Sequence, residues 1–239
     1  MKIFTIPNLL TCCNLFCGCA GIVAVYHSDL ILASWMILLA VVFDFLDGFV
    51  ARLLNSTSPI GKELDSLADV VTFGVLPACI ISYYLTIAVP TLDDIWKTYL
   101  AFVLTIFSAL RLAKFNIDTR QAESFIGLPT PANALVVASF PLILQKNPSF
   151  EHIIINQTNL LIYIGLFSYL LISEIPLFAL KFKNFAVKNN EVRYLFISIS
   201  IVLALTLKFI SIPIIILFYF ILSVIQFYFF QKTQLNTNI

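Results

Sequence analysis

The side chains able to do chemistry in this chain crowd into one stretch. Asp44, Asp47, Glu63, Asp65 and Asp69 lie between positions 44 and 69, five of the thirteen acids in 239 residues. Asp44 and Asp47 are three apart and Asp65 and Asp69 four apart, so each pair shares one face of a helix. The stretch from Asn55 to Gly61 carries Ser, Pro and Gly and reads as a short turn. It joins two antiparallel helices, a hairpin that brings the four aspartates together. Carboxylates without His or Cys are a hard oxygen donor set suited to Mg²⁺, Mn²⁺ or Ca²⁺. Four of them could hold two such ions as a clamp. A proton or ion relay in a transporter is the other chemistry open to intramembrane acids.

Small residues extend the acidic face. Gly48 follows Asp44 by one turn, Ala51 follows Asp47, and Arg52 follows Gly48. A bare strip of backbone admits a flat ligand, and a guanidinium at its end suits a phosphate. Close packing of membrane helices uses the same small-residue spacing. Spacing alone leaves both accounts open.

The elements that must position these residues are hydrophobic helices. The chain is 60% hydrophobic and 11% charged, with a mean hydropathy of +0.98. Fourteen basic residues nearly balance the acids, for a net charge of +1. That balance excludes nucleic-acid binding by bulk charge, and the hydropathy excludes an acidic disordered chain. The strict alternation of a membrane β-barrel is absent. The expected class is all-α, a polytopic transmembrane bundle in a single domain over 1–239. Eight helices are expected at 6–26, 30–53, 65–89, 95–115, 131–145, 158–181, 193–208 and 211–231. Pro7, Asn8, Thr11 and Asn14 interrupt the first apolar run and no small-residue cleavage site follows, so that helix is expected to be retained. The five cysteines, at 12, 13, 17, 19 and 79, lack metal-site spacing and are expected to be buried apolar thiols.

Charge along the chain sets an expected orientation. With the N-terminus in the cytoplasm and eight crossings, one side holds Lys2, Arg52, Lys62, Arg111, Lys114, Arg120, Lys181, Lys183, Lys188, Arg193 and Lys232. The other side holds Lys97, Lys146 and Lys208. Both termini are therefore expected inside, and the sizeable loops, 54–64, 116–130 and 182–192, share that face. At 1.5 Å per residue, Asp44 lies about 12 Å from Arg52 along the helix, just within the cytoplasmic boundary.

Between Asp44 and Asp69 the chain reads DFLDGFVARLLNSTSPIGKELDSLAD, or D-x2-D-G-x2-A-R-x8-G-x3-D-x3-D. This is the signature of the CDP-alcohol phosphatidyltransferases, and the chain resembles that family without a departure from the motif. Flanking stretches, IPNLLTCCNLFCG at 6–18, GKELDSLADVVTFGVLPA at 61–78, RLAKFN at 111–116 and GLPTPA at 127–132, are similar to the serine-using members from bacteria and archaea. The resemblance covers roughly residues 5–145, with no specific match over 146–239, and implies a six-helix family core followed by two C-terminal helices.

The resemblance implies specific roles. Asp44, Asp47 and Asp65 would hold one divalent ion, Mg²⁺ or Mn²⁺ with Ca²⁺ as another possible occupant, and Asp44, Asp65 and Asp69 a second. Gly48, Ala51 and Arg52 would line the nucleotide of CDP-diacylglycerol, with Ser58 and Gly61 closing over it. Asp69 would be the general base for the acceptor hydroxyl, with CMP leaving and phosphatidylserine forming when the acceptor is L-serine. A polyol such as glycerol 3-phosphate or inositol phosphate is the alternative acceptor. A homodimer in the cytoplasmic membrane is implied in the same way.

Around this centre other polar residues have expected places. Asn8, Thr11 and Asn14 form a stripe on the first helix, with Asn8 and Thr11 facing the cytidine. Arg111 and Lys114, three apart at the end of the fourth helix, could meet a serine carboxylate, although interfacial snorkelling explains either alone. Glu174, read as lying in the sixth helix, is expected to pair locally or sit near the interface. His27 and His152 fall at external helix ends, away from the chemistry. The Phe-rich segment 209–230 reads as lipid-facing or oligomer-forming helix.

Overall fold

The computed structural model describes residues 4–56, 58–118, 125–178 and 190–237. Lys2, Arg120, Lys181, Lys183 and Lys188, which contribute to the charge bias, lie outside the described residues, as do parts of the loops 116–130 and 182–192.

Eight helices build the bundle: α1 Ile6–Tyr26, α2 Leu30–Leu53, α3 Pro59–Ala88, α4 Leu92–Ile117, α5 Thr130–Lys146, α6 Gln157–Ile172, α7 Glu191–Leu207 and α8 Ser211–Thr237. Among the described residues, five continuous helical runs are long and apolar enough to cross a bilayer. A sixth forms if the short segment Pro148–Ile154, bent by 66° from α6, is counted with it. The longest run, Glu191–Phe227, is folded in two. Its backbone turns at Lys208, where φ is +51°, and Phe196 of α7 stacks on Phe218 of α8 with centroids 5.9 Å apart. The all-α polytopic class expected from hydropathy is the one observed.

Local chemistry explains where the helices start and stop. Thr5 caps α1, its hydroxyl accepting from the Asn8 N–H at 3.3 Å. Ser58 caps α3 by accepting from the Gly61 N–H at 3.1 Å, and Pro59 occupies the first helical turn, where its missing donor costs nothing. The third helix thus begins at Pro59 rather than at 65. The last three residues of the stretch read as a turn, 59–61, are helical, and the connection from α2 is shorter than expected.

Two further corrections concern irregular backbone. Immediately after Asp69, Val70–Val75 forms a π-helical segment inside α3, a local widening often found at functional sites. Thr105 of α4 donates to the Gly74 carbonyl there at 3.1 Å. The sixth helix ends at Ile172 rather than 181. The loop before α5 docks on its end: Leu128 N–H donates to Leu170 O of the last helical turn and Gly127 N–H to Ile175 O just beyond it, each at 2.9 Å. Residues Phe125–Ile126 (β1) and Pro176–Leu177 (β2) then pair antiparallel. Glu174 therefore stands in the loop after α6, not within a helix.

The core sits between α2, α3, α4 and α5, where Ile37, Phe73, Leu76, Ile80, Ile81, Leu85, Leu104 and Val137 are fully buried. α1 packs along α2 and against α3. Of the five free thiols only Cys17 is buried, which corrects the expectation for the rest. Cys12 and Cys19 point outward from α1, where a bilayer rather than protein would surround them. Helices α7 and α8 are largely exposed. An aromatic group joins α8 to the core, with the Tyr219 hydroxyl donating to the Phe178 carbonyl at 2.7 Å.

Candidate active site

Four helix ends meet at one pole of the bundle: the start of α1, the end of α2, the start of α3 and the end of α4. The short hairpin between α2 and α3 brings carboxylate oxygens of Asp44, Asp47 and Asp65 within 4.8 Å of one another. Asp69, one turn deeper on α3, lies outside that triad but within electrostatic reach of all three. Asp47 and Asp69 are the most buried of the four, at 6% and 7% exposure. Like charges this close repel, and removing them from water adds to the cost.

Neighbouring side chains offset part of that cost. Thr11 donates to Asp47 Oδ2 at 2.6 Å, and Asn14 donates through Nδ2 to Asp69 Oδ1 at 3.1 Å. Asp65 Oδ1 is buried with no hydrogen-bond partner. An orphaned carboxylate oxygen inside a triad of oxygen donors fits a divalent cation, which would supply the missing partner.

Beside the acids lies a cavity of about 210 Å³. Of the residues expected to meet a nucleotide, Asn8, Thr11, Gly48, Ala51, Ser58 and Gly61 all line it. A Cβ placed on Gly48 would meet nothing within 4 Å, so the bare strip on α2 faces open space rather than a packed helix. This favours ligand access over helix packing as the reason for the small residues. A Cβ on Gly61 would come within 2.9 Å of Asn8 Oδ1, so glycine there permits the close approach of α3 to α1. Arg52 is exposed at the rim, with Nε donating to the Gly48 carbonyl at 2.9 Å.

Lys62 was assigned no part in the site by sequence, yet it also lines the cavity. Its Nζ donates to the Asn116 carbonyl at 2.7 Å, tying α3 to the end of α4. Asn116 in turn donates to Ser66 Oγ at 2.7 Å. These contacts account for the asparagine that ends the RLAKFN stretch.

Arg111 and Lys114 separate in the structure. Arg111 is buried, within electrostatic reach of Asp69, and its guanidinium lies 5.1 Å from the centroid of the Phe115 ring. Its Nε has no hydrogen-bond partner. Lys114 forms an ion pair with Glu174, which brings together two residues sixty positions apart. The expectation that Glu174 pairs locally is met in space, not in sequence.

A polytopic helical bundle with a carboxylate cluster beside a cavity at one pole defines the class, a helical membrane protein with an acidic centre. The chain belongs to the CDP-alcohol phosphatidyltransferase family, whose model matches residues 4–178. Helices α7 and α8 lie beyond that match. The chain is similar to the CDP-diacylglycerol–serine O-phosphatidyltransferase of Helicobacter pylori J99, 38% identical over 146 residues covering 60% of each chain. It is also similar to the proteins of that name from Bacillus subtilis, 36% identical over 190 residues covering 78% of this chain and 96% of the other. A third, from Methanocaldococcus jannaschii, is 37% identical over 139 residues, covering 58% of this chain and 61% of the other. The match thus spans about 60% of the length of the Helicobacter relative.

Proposed function

We propose that this protein transfers the phosphatidyl group of CDP-diacylglycerol to the hydroxyl of L-serine, forming phosphatidylserine and CMP. The observation that carries the reading is the Asp44–Asp47–Asp65 triad opening onto a cavity lined by small and amide-bearing residues. The names of the relatives agree with it.

Asp44, Asp47, Asp65 and Asp69 would hold two divalent cations, Mg²⁺ or Mn²⁺, which neutralise diphosphate charge and make the phosphorus easier to attack. Asn8, Gly48, Ala51, Ser58 and Gly61 receive the cytidine end, and Arg52 at the rim meets a phosphate oxygen. Asp69 takes the proton from the serine hydroxyl as the serine oxygen bonds to the lipid-bearing phosphorus. The bond from that phosphorus to the CMP oxygen breaks, and CMP departs. Burial of Arg111 beside Asp69 suits it to bind the serine carboxylate while the hydroxyl reaches the base. A phosphorylated polyol would call for a cluster of guanidinium groups, whereas Arg111 is the one buried Arg at this centre among the described residues.

The charge bias of the sequence supports a site on the cytoplasmic face of the cell membrane with both termini on that side. A homodimer is the assembly we assign. Purified protein tests the reaction: CMP release is measured with CDP-diacylglycerol and Mn²⁺ or Mg²⁺, with serine, glycerol 3-phosphate or no acceptor. Serine-dependent CMP is expected, and its absence would overturn the proposal. Asp69→Asn is expected to lower turnover by about 10²–10⁴-fold, the usual contribution of a positioned base. Wild-type turnover in that variant would remove Asp69 from the role.

A further inference from the structure

Asp69 is held by a residue that the motif does not contain. Asn14 is fully buried, and its Nδ2 donates to Asp69 Oδ1 across 3.1 Å. The sense of the amide fits the functional reading, in which Asp69 is an ionised ligand that only accepts. This is the single hydrogen bond of the Asp69 side chain among the described residues. Asn14 Oδ1 is left buried without a donor.

A second tether acts on the same helix. Thr72, in the π segment that begins directly after Asp69, donates to the Asn14 carbonyl at 3.2 Å. One turn along α1, a Cβ on Gly18 would fall 2.4 Å from Thr72 Oγ1 and 3.0 Å from Thr72 Cα. Glycine at 18 thus lets α1 close directly onto the π segment, and Asn14 is pressed against Asp69 as a result.

The tether resolves a competition. Asp69 is within electrostatic reach of three like charges, Asp44, Asp65 and Asp47, and of the buried guanidinium of Arg111. Repulsion from the acids and attraction to Arg111 both draw its carboxylate toward the cation. A fixed neutral donor on α1 opposes that drift by keeping one carboxylate oxygen engaged.

We propose that Asn14 is a positioning residue for Asp69, holding its carboxylate with the acidic cluster and off Arg111. The proposal rests on the functional reading above, in which Asp69 binds a divalent ion and takes the acceptor proton. Loss of an outer hydrogen bond to a ligating carboxylate commonly costs 10–100-fold in metal affinity or activity.

The test replaces Asn14 by leucine, which has nearly the same shape and no donor, and measures Mn²⁺ affinity of the purified protein by electron paramagnetic resonance alongside steady-state kinetics. Asn14→Leu is expected to weaken Mn²⁺ binding about ten-fold and to lower kcat by a similar factor or more, with KM for CDP-diacylglycerol within about two-fold of wild type. In an Asp69→Asn background the same substitution is expected to change Mn²⁺ affinity no further, since the two residues act as one unit. Wild-type Mn²⁺ affinity in folded Asn14→Leu overturns the proposal, as does an additive loss in the double variant. If the leucine variant does not fold, Asn14→Ala carries the same comparison. Should wild-type protein lack serine-dependent CMP release, the functional reading falls while the Mn²⁺ comparison still judges the tether.

Discussion

Thr11 Oγ1 of α1 and Asp47 Oδ2 of α2 are 2.6 Å apart, so the helix that precedes the acidic motif orients its second carboxylate. With Asn14 on Asp69, α1 supplies one neutral donor to an acid on each arm of the hairpin. Thr11 faces the cavity too, and its hydroxyl lies closer to Asp47 Oδ2, at 2.6 Å, than to the Pro7 carbonyl on its own helix, at 3.1 Å.

Thr11→Val keeps the shape and removes this donor. A hydrogen bond to a charged group contributes about 1.5–3 kcal/mol. The variant is expected to need roughly ten-fold more Mn²⁺ for half-maximal activity, while Thr11→Ser keeps the wild-type requirement. Equal Mn²⁺ dependence in valine and wild-type protein would show that Asp47 is oriented without Thr11.

Gly48 offers a sharper separation of binding from folding. Its open surroundings accept a methyl group, and alanine is favoured over glycine within a helix by about 0.5–1 kcal/mol. Gly48→Ala is expected to raise the thermal midpoint slightly and to raise KM for CDP-diacylglycerol several-fold. A lowered midpoint would return Gly48 to a packing role.

At Gly127 the backbone has φ +75°, and a Cβ would meet Leu171 O at 2.8 Å and Ser173 O at 2.9 Å. Gly127→Ala is expected to destabilise the protein by about 1–3 kcal/mol, from strained backbone together with the collision. Thermal unfolding in detergent measures it, and an unchanged midpoint would contradict the docking of this loop on the end of α6.

Lys114 and Glu174 pair with 33% and 61% of their side chains exposed. A pair so accessible contributes about 0–1 kcal/mol. Lys114→Ala and Glu174→Ala are expected to have matching, small effects on stability and on KM for serine, whereas Arg111→Lys raises KM for serine about ten-fold or more. If Lys114→Ala alone raised that KM, Lys114 rather than its ion pair would belong to the acceptor site.

Much of this protein was legible from local pattern. The limits of α1 and α2, at 6–26 and 30–53, follow from hydrophobic run length and from capping by Thr5 and Asp29, which act within three residues. The acidic hairpin follows from spacing, since i, i+3 and i, i+4 positions share a face whatever else the chain does. The start of α3 was misplaced because Ser58 and Pro59 serve equally as turn residues and as a cap with a first helical turn. The end of α6 was misplaced because apolar residues continue past Ile172, and only pairing with the distant 125–128 segment ends the helix.

The sequence by itself determined the membrane class, the acids that gather and the strip of small residues beside them, because these depend on interactions a few positions apart. Tertiary structure alone decided that Asn14 holds Asp69, that Gly48 faces a cavity, that Lys62 joins the site through Asn116, and that Lys114 is taken by Glu174 while Arg111 stays beside the acids. The pairs among these are separated by 54 to 60 positions. No periodicity spans that distance, and only the packing of α1, α3 and α4 at one pole brings the partners into contact.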